Sequence, residues 1–238
     1  MKVNKLQEIV MVMIFIFGIG CEVEVDGPPD TTPNWDTDGD GISNAVETNP
    51  ANSHHGFDTT VVDANPSIAH GSPINGWLEG GINLTDAGRG YYHYYGSDPV
   101  DTDDWGTLAL INMVEGGGRD WRERYPTPRS GIGDMSLQNG GIWLPHSSHQ
   151  NGLDVDIRYV RNDGQELPLN ITDHPEDYDT LATVDLMNSL FQNGDCVLIV
   201  VSEVCGIIFE DIEVRYDTTN VHDNHFHLRI EDPDGTGN

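Results

Sequence analysis

Two short windows of the sequence, residues 146–156 and 222–227, each combine histidine with aspartate. They hold half of the chain's ten histidines. Imidazole nitrogens and carboxylate oxygens are ligands that a catalytic zinc ion takes from a protein, usually three at a time with one position left open. The pattern therefore predicts a fold that brings these distant windows together around a metal ion. The alternative is that each histidine has an unrelated surface or core role, as most isolated histidines do.

The residues in and after each window alternate between polar and apolar, which is typical of a half-buried strand. The strand predicted over Leu153–Val160 has one polar face, which carries Asp154, Asp156 and Arg158. The strand predicted over His225–Ile230 likewise carries His225, His227 and Arg229 on one face. His149, on a turn that Gly152 permits, can then converge with Asp156 and His227 on one ion. The other imidazole of the second strand would stand beside the metal-bound water.

The remaining pattern predicts two helices and further strands. One helix runs through Leu108, Ile111 and Met113, is capped at Asp103 or Asp104, and ends at residues 116–118. A second helix has a core face that ends before Gly194 and consists of Leu181, Val184, Met187, Leu190 and Phe191. Strands are also predicted over 196–202 and 207–216. The fold class is α+β: a small central antiparallel sheet with flanking helices and long loops, and a zinc site on the sheet face.

The N-terminus predicts an export signal. The only lysines, Lys2 and Lys5, precede an apolar run, Ile9–Ile19, that is shorter than the roughly 20 residues needed to span a bilayer. The sequence before Cys21 resembles a bacterial lipoprotein signal, and plain secretion is the alternative. We therefore expect a periplasmic or cell-surface location, as an outer-membrane lipoprotein of a Gram-negative bacterium. The other cysteines, Cys196 and Cys205, are an even pair whose bridging the sequence leaves open.

Four segments follow from these patterns: a signal peptide at 1–20, an acidic linker at 21–62, a catalytic domain at 63–232 and a polar tail at 233–238. Within the linker, segment 36–47 has the spacing of a calcium loop, with carboxylates at Asp36, Asp38, Asp40 and Glu47. It resembles a single thrombospondin type 3 repeat. Calcium is the predicted ligand, and a solvated acidic linker is the alternative.

The charge balance limits the choice of partners. The chain has 11 basic and 40 acidic residues and a formal net charge of −29. Nucleic acids and anionic membrane surfaces attract clustered Lys and Arg, so neither is an expected partner. Contact with a membrane is expected only through a lipid on Cys21.

The two windows resemble the penicillin-insensitive murein endopeptidases, within the wider group of lysostaphin-type, D-Ala-D-Ala and hedgehog-type proteins. The shared residues are Gly133–Ser136, Gly140–Gly141, His146–Asp156, His222, His225 and His227. Weaker likeness extends the resemblance to about residues 65–230. It implies zinc held by His149, Asp156 and His227. It also implies His225 as a base or transition-state stabiliser, with His146 and His222 lining the site.

The resemblance implies a zinc D,D-endopeptidase that hydrolyses D-alanyl-meso-diaminopimelyl cross-links in peptidoglycan. After export the chain retains no lysine, so the Ser-x-x-Lys nucleophile of serine D,D-peptidases is excluded and β-lactam insensitivity is expected. One alternative is a D-Ala-D-Ala or L,D-carboxypeptidase on the same scaffold. Another is a non-catalytic lipoprotein that binds the cell wall.

Arginines on the site face have two interpretations. Arg158 and Arg229 could each hold a substrate carboxylate in a bidentate manner, or could pair with Asp154 or Asp134. Asp154 is interpreted as a support for the metal ligands rather than as a ligand.

Overall fold

The computed structural model of the protein describes residues 67–84, 87–88, 90–94, 102–209, 212–233 and 235. Within them the strands are β1 (Ile68–Ser72), β2 (Asn75–Glu79), β3 (Ile82–Asn83), β4 (Tyr91–His93), β5 (Trp105–Gly106), β6 (Ser130–Ile132), β7 (Asp154–Arg158), β8 (Cys196–Ser202), β9 (Glu213–Asp217) and β10 (His225–Ile230). The helices are α1 (Leu108–Arg124), a 3₁₀ turn (Pro175–Asp177) and α2 (Thr180–Phe191). The fold is α+β, as predicted.

Six of these strands form one sheet in the order β4-β6-β7-β10-β8-β9. Its centre is antiparallel, because β7 pairs with β6 and β10, and β10 pairs with β8, in that sense. The predicted antiparallel arrangement does not extend to the edges, where β4 is parallel to β6 and β9 is parallel to β8. Each parallel pair is joined by a long connection, and β4 reaches β6 through α1.

The two faces of this sheet differ in chemistry. The apolar members of β7 and β10 join the side chains of α1 and α2 in one buried core, which includes Val155, Ile157, Phe226, Leu228, Leu110, Met113, Leu186 and Leu190. The polar members of the same two strands lie on the opposite face. The two-residue alternation of the sequence therefore separates the core from the candidate site.

Helix α1 begins and ends elsewhere than predicted. Its N-cap is Thr107, whose hydroxyl accepts a hydrogen bond from the backbone N–H of Leu110, and not Asp103 or Asp104. The helix also continues through the three glycines at 116–118, where an end was predicted. A Cβ atom on Gly117 would lie 2.9 Å from the Cα of Leu190 on α2. The glycines let the two helices approach closely, and that packing outweighs their low helix propensity.

The second helix follows its predicted stripe with one exception. Met187 and Leu190 are buried, whereas Leu181 is 66% exposed and does not belong to the core face. The strand predicted over 207–216 begins only at Glu213. None of the helices in the described part of the chain has the length and apolar character to cross a membrane.

Cys196 and Cys205 are free thiols. Cys196 begins β8 and Cys205 lies beyond its other end. A seven-residue strand spans roughly 20 Å, whereas a disulfide needs Cα atoms within about 7 Å. The sequence left a disulfide between Cys196 and Cys205 open, and the length of β8 prevents it.

Candidate metal centre and active site

The two windows meet because β7 and β10 are neighbours in the sheet. In their antiparallel register His227 lies opposite Asp156, Arg229 opposite Asp154 and His225 opposite Arg158. Paired residues of antiparallel strands point to the same face with Cβ atoms about 5 Å apart. The register therefore gathers the polar residues of both windows on one surface.

His149 enters this surface from a loop with unusual backbone geometry. Its φ of 66° lies in the left-handed region, which residues other than glycine rarely adopt. Its backbone N–H donates to Asp154 Oδ2 at 2.9 Å, and its Nδ1 donates to the carbonyl of Met135 at 2.7 Å. Because Nδ1 carries the proton, the lone pair of Nε2 is free to bind a metal ion.

His149 and His227 each bring a ring nitrogen close to the same carboxylate oxygen of Asp156. His149 Nε2 lies 3.4 Å, and His227 Nδ1 2.9 Å, from Asp156 Oδ1. Two atoms that each bind a tetrahedral zinc ion at about 2.1 Å are about 3.4 Å apart. All three residues are buried, and two imidazoles with one carboxylate form a common donor set for catalytic zinc. These residue types and the two spacings to Asp156 are compatible with zinc.

A second grouping shares two of these residues. Ligand atoms of His146, His149 and Asp156 all lie within 4.8 Å of one another, so this triad could also hold a metal ion. However, His146 Nε2 is already 3.1 Å from Asp134 Oδ2. Burial lowers the pKa of His146, but the hydrogen bond to Asp134 and its charge raise it more, so the net pKa is raised. His227 is likewise paired with carboxylates, through Nδ1 to Asp156 and Nε2 to Asp154, so both histidines adjoin His149 and Asp156.

His225 stands at the edge of the cluster and is largely neutral. Its Nε2 lies 3.4 Å from Asp156 Oδ2, and its Nδ1 is 2.6 Å from the side-chain oxygen of Asn224. Burial lowers the pKa of His225, and the adjacent His222 and His227 lower it further, against the opposing effect of Asp156. A neutral imidazole beside the metal ligands can accept a proton.

Asp154 lies beneath the cluster and holds it in place. This fully buried carboxylate accepts hydrogen bonds from Arg229 Nε at 2.6 Å and Nη2 at 3.0 Å. It also lies 3.4 Å from Nε2 of His227. Burial lowers the pKa of His227, but Asp154 and Asp156 together raise it to about 9. The two carboxylates therefore hold the His227 ring in its protonated form, and a metal ion that bound this ring would displace a proton.

The remaining site residues lie at the rim. His222 Nδ1 is 3.1 Å from Asp217 Oδ2, and its ring centre is 5.1 Å from that of His225. The Arg158 guanidinium lies 4.0 Å from the ring centre of Tyr94 and donates to Tyr92 Oη at 3.3 Å. Asp217, Tyr92 and Tyr94 were not predicted as site residues from the sequence. The aromatic run at 91–95 was the one available signal for the tyrosines.

Some predicted features fall elsewhere. The calcium ligands Asp36, Asp38, Asp40 and Glu47, together with Cys21 and the signal segment, lie outside the described residues. His93, which lies outside the two windows, has its Nδ1 2.8 Å from Asp104 Oδ1. Its register partner Ile132 is a core residue, so His93 lies on the helix-covered face, away from the cluster.

The imidazoles and carboxylates gathered on this face of the sheet are residue types of a hydrolytic site. The protein family described as penicillin-insensitive murein endopeptidase matches residues 69–192, more than half of the chain, and the chain belongs to it. No curated protein matches the chain. The family match includes His146, His149 and Asp156 but ends before β8. His225 and His227 lie beyond it, and the pairing of β7 with β10 brings them to the first window.

Proposed function

We propose that this protein is a zinc-dependent D,D-endopeptidase that hydrolyses D-alanyl-meso-diaminopimelyl cross-links in peptidoglycan. The observation that carries the proposal is the convergence of His149, Asp156 and His227 in a member of the murein endopeptidase family, with His225 beside them. Family membership supports peptidoglycan as the substrate. The donor set supports zinc.

Different residues of the site have different roles in the proposed hydrolysis. Bound zinc would lower the pKa of a water molecule and polarise the scissile carbonyl. His225 would accept the proton of the attacking water and deliver it to the departing amine, because it is neutral and adjoins the ligand carboxylate of Asp156. Asp154 and the carbonyl of Met135 would keep the rings of His227 and His149 in their binding orientation.

The test is digestion of purified cross-linked muropeptide dimers by the exported chain, with zinc, with a chelator and with a β-lactam. We expect monomers with zinc, none with the chelator, and no effect of the β-lactam. Product masses identify the bond, and release of single D-alanine residues would indicate a carboxypeptidase instead. Dimers that remain intact in the presence of zinc would refute the proposed activity.

The proposal includes export and anchoring. The cell wall lies outside the cytoplasm, so the family agrees with the export signal at 1–20 and with a lipid on Cys21 as a tether. Mass spectrometry of the mature N-terminus would test both features. Calcium binding by segment 36–47 would be tested by titration calorimetry of the chain and of an Asp38→Ala variant.

A further inference from the structure

Arg158 lies next to the proposed proton acceptor. It is the last residue of β7 and pairs in register with His225 on β10. It also follows the proposed ligand Asp156 by two positions, so both side chains are on the same face of the strand, about 7 Å apart along it. The side chain extends toward β6 and not toward β10, so the guanidinium flanks Asp156 on the side opposite His225.

The guanidinium of Arg158 is held in one orientation by β4 and β6. The side chain crosses β6 at Gly131, where an added Cβ atom would lie 3.1 Å from Arg158 Cδ. One nitrogen donates to Tyr92 Oη at 3.3 Å, and the planar group lies 4.0 Å from the ring centre of Tyr94. A guanidinium stacked on an aromatic ring keeps its in-plane N–H groups available for a planar anion.

Arg158 has no carboxylate within ion-pair distance among the described residues. This is informative in a chain with 40 acidic and 11 basic residues. Its neighbours are already paired, Arg229 with Asp154 and Arg129 with Glu166. Of the two arginines that the sequence analysis placed on the site face, only Arg158 remains available for a carboxylate from outside.

The substrate of the proposed reaction offers such a group, and the inference rests on that proposed function. In the cross-link, the scissile nitrogen is attached to a carbon of meso-diaminopimelate that also bears a carboxylate. With the scissile carbonyl at the metal centre, this carboxylate is two bonds from the scissile nitrogen and can lie on the β6 side of Asp156, where the Arg158 guanidinium is. We propose that Arg158, held by Tyr92 and Tyr94, binds this carboxylate and selects for diaminopimelyl cross-links in which it is free.

The test compares two dimers that differ only at this group, a free carboxylate or its carboxamide. The wild-type chain should hydrolyse the free acid with a kcat/KM about 10- to 100-fold higher, because a hydrogen bond to a charged partner is lost in the amide. Arg158→Gln should bring the ratio of the two kcat/KM values close to one. Arg158→Lys should retain part of the preference, since a cation without the planar fork remains.

Arg215→Gln is the matched control. It removes the same charge from an arginine that is 58% exposed on the edge strand β9, and it should leave the ratio unchanged. Zinc content and thermal melting establish that each variant is folded. The comparison of acid and amide can be made with the wild-type chain alone. If Arg158→Gln does not fold, the kcat/KM ratios of the wild-type and Arg158→Lys chains therefore still test the assignment. A wild-type chain without preference, or an Arg158→Gln chain with the wild-type ratio, would overturn the assignment.

A binding measurement separates this inference from the proposed activity. If the wild-type chain cleaves neither dimer, the endopeptidase proposal fails, but calorimetry with a diaminopimelyl tripeptide and its amide still tests Arg158. Tighter binding of the acid that disappears in Arg158→Gln supports the assignment. Equal binding of acid and amide by the wild-type chain overturns it.

Discussion

At the scale of single residues, the buried charge of Asp154 makes the site depend on Arg229. The carboxylate has no exposed surface, and both of its oxygens accept hydrogen bonds from the guanidinium. Removing one partner of a buried ion pair leaves an uncompensated charge and costs about 3–5 kcal/mol. We expect Arg229→Met to lower the free energy of unfolding by about this amount, measured by urea denaturation.

A matched substitution distinguishes the buried pair from charge loss in general. Arg215 pairs with Glu213 on the surface, where both side chains are 58% exposed. Exposed ion pairs contribute about 1 kcal/mol or less, so Arg215→Met should have little effect. Equal free energies of unfolding of the Arg229→Met and wild-type chains would show that the buried Asp154 carboxylate does not depend on the Arg229 guanidinium.

Metal content tests the ligand set residue by residue. With the proposed ligand set, His227→Ala should lose zinc and His146→Ala should retain it, although His146 also lies within ligand distance of His149 and Asp156. His225→Ala should keep one zinc ion per chain and lose hydrolysis by about 100-fold or more, as expected for a general base. The measurements are elemental analysis after dialysis and digestion of muropeptide dimers. Zinc lost from His146→Ala but kept by His227→Ala would reverse the assignment.

The polar face of β7 and β10 could be predicted from sequence because a strand has a fixed two-residue period. The alternation of polar and apolar residues alone therefore assigns His225, His227 and Asp156 to a face. Tyr92 and Asp217 could not be found this way. Tyr92 reaches the site by the parallel pairing of β4 with β6, and Asp217 by that of β9 with β8. Such pairings join strands across long connections and leave no periodic signal at either residue.

At the scale of elements, the glycines of α1 determine how closely the two helices pack. The sequence predicts a helix end at these residues because glycine favours helix ends and disfavours interiors. The neighbouring helix outweighs this preference of glycine, because a Cβ on Gly117 would meet Leu190 Cα at 2.9 Å. The required close approach is a tertiary property, and the pattern of α1 alone does not contain it.

Substitution of Gly117 tests this packing. Gly117→Val should destabilise the protein by about 1–3 kcal/mol, because overpacking forces α1 and α2 apart. Glu123→Val is the control, since it places the same side chain at an exposed position of the same helix and should cost about 0.5 kcal/mol or less. Chemical denaturation measures both. A Gly117→Val chain as stable as the control would show that the helices tolerate a wider separation.

At the scale of the whole molecule, the site joins two parts of the chain that are distant in sequence. Between Asp156 on β7 and His227 on β10, the chain forms the 3₁₀ turn, α2, β8 and β9. Closing this long connection is entropically unfavourable, and burial of the β7–β10 core face must offset it. A metal ion that binds both strands would add to that stabilisation, because it binds only the folded arrangement.

Metal removal should therefore lower the stability of the entire domain rather than activity alone. With free zinc at about 1,000 times its dissociation constant, binding stabilises the folded state by about 4 kcal/mol, which for a chain of this size raises Tm by about 10 °C. We expect a chelator to remove this increment in the full chain and added zinc to restore it, as followed by calorimetry. His227→Ala provides the control, because a chain that has lost a ligand should melt at the same temperature with and without chelator. If chelation strips the zinc from the wild-type chain but leaves its Tm unchanged, the ion does not link β7 to β10.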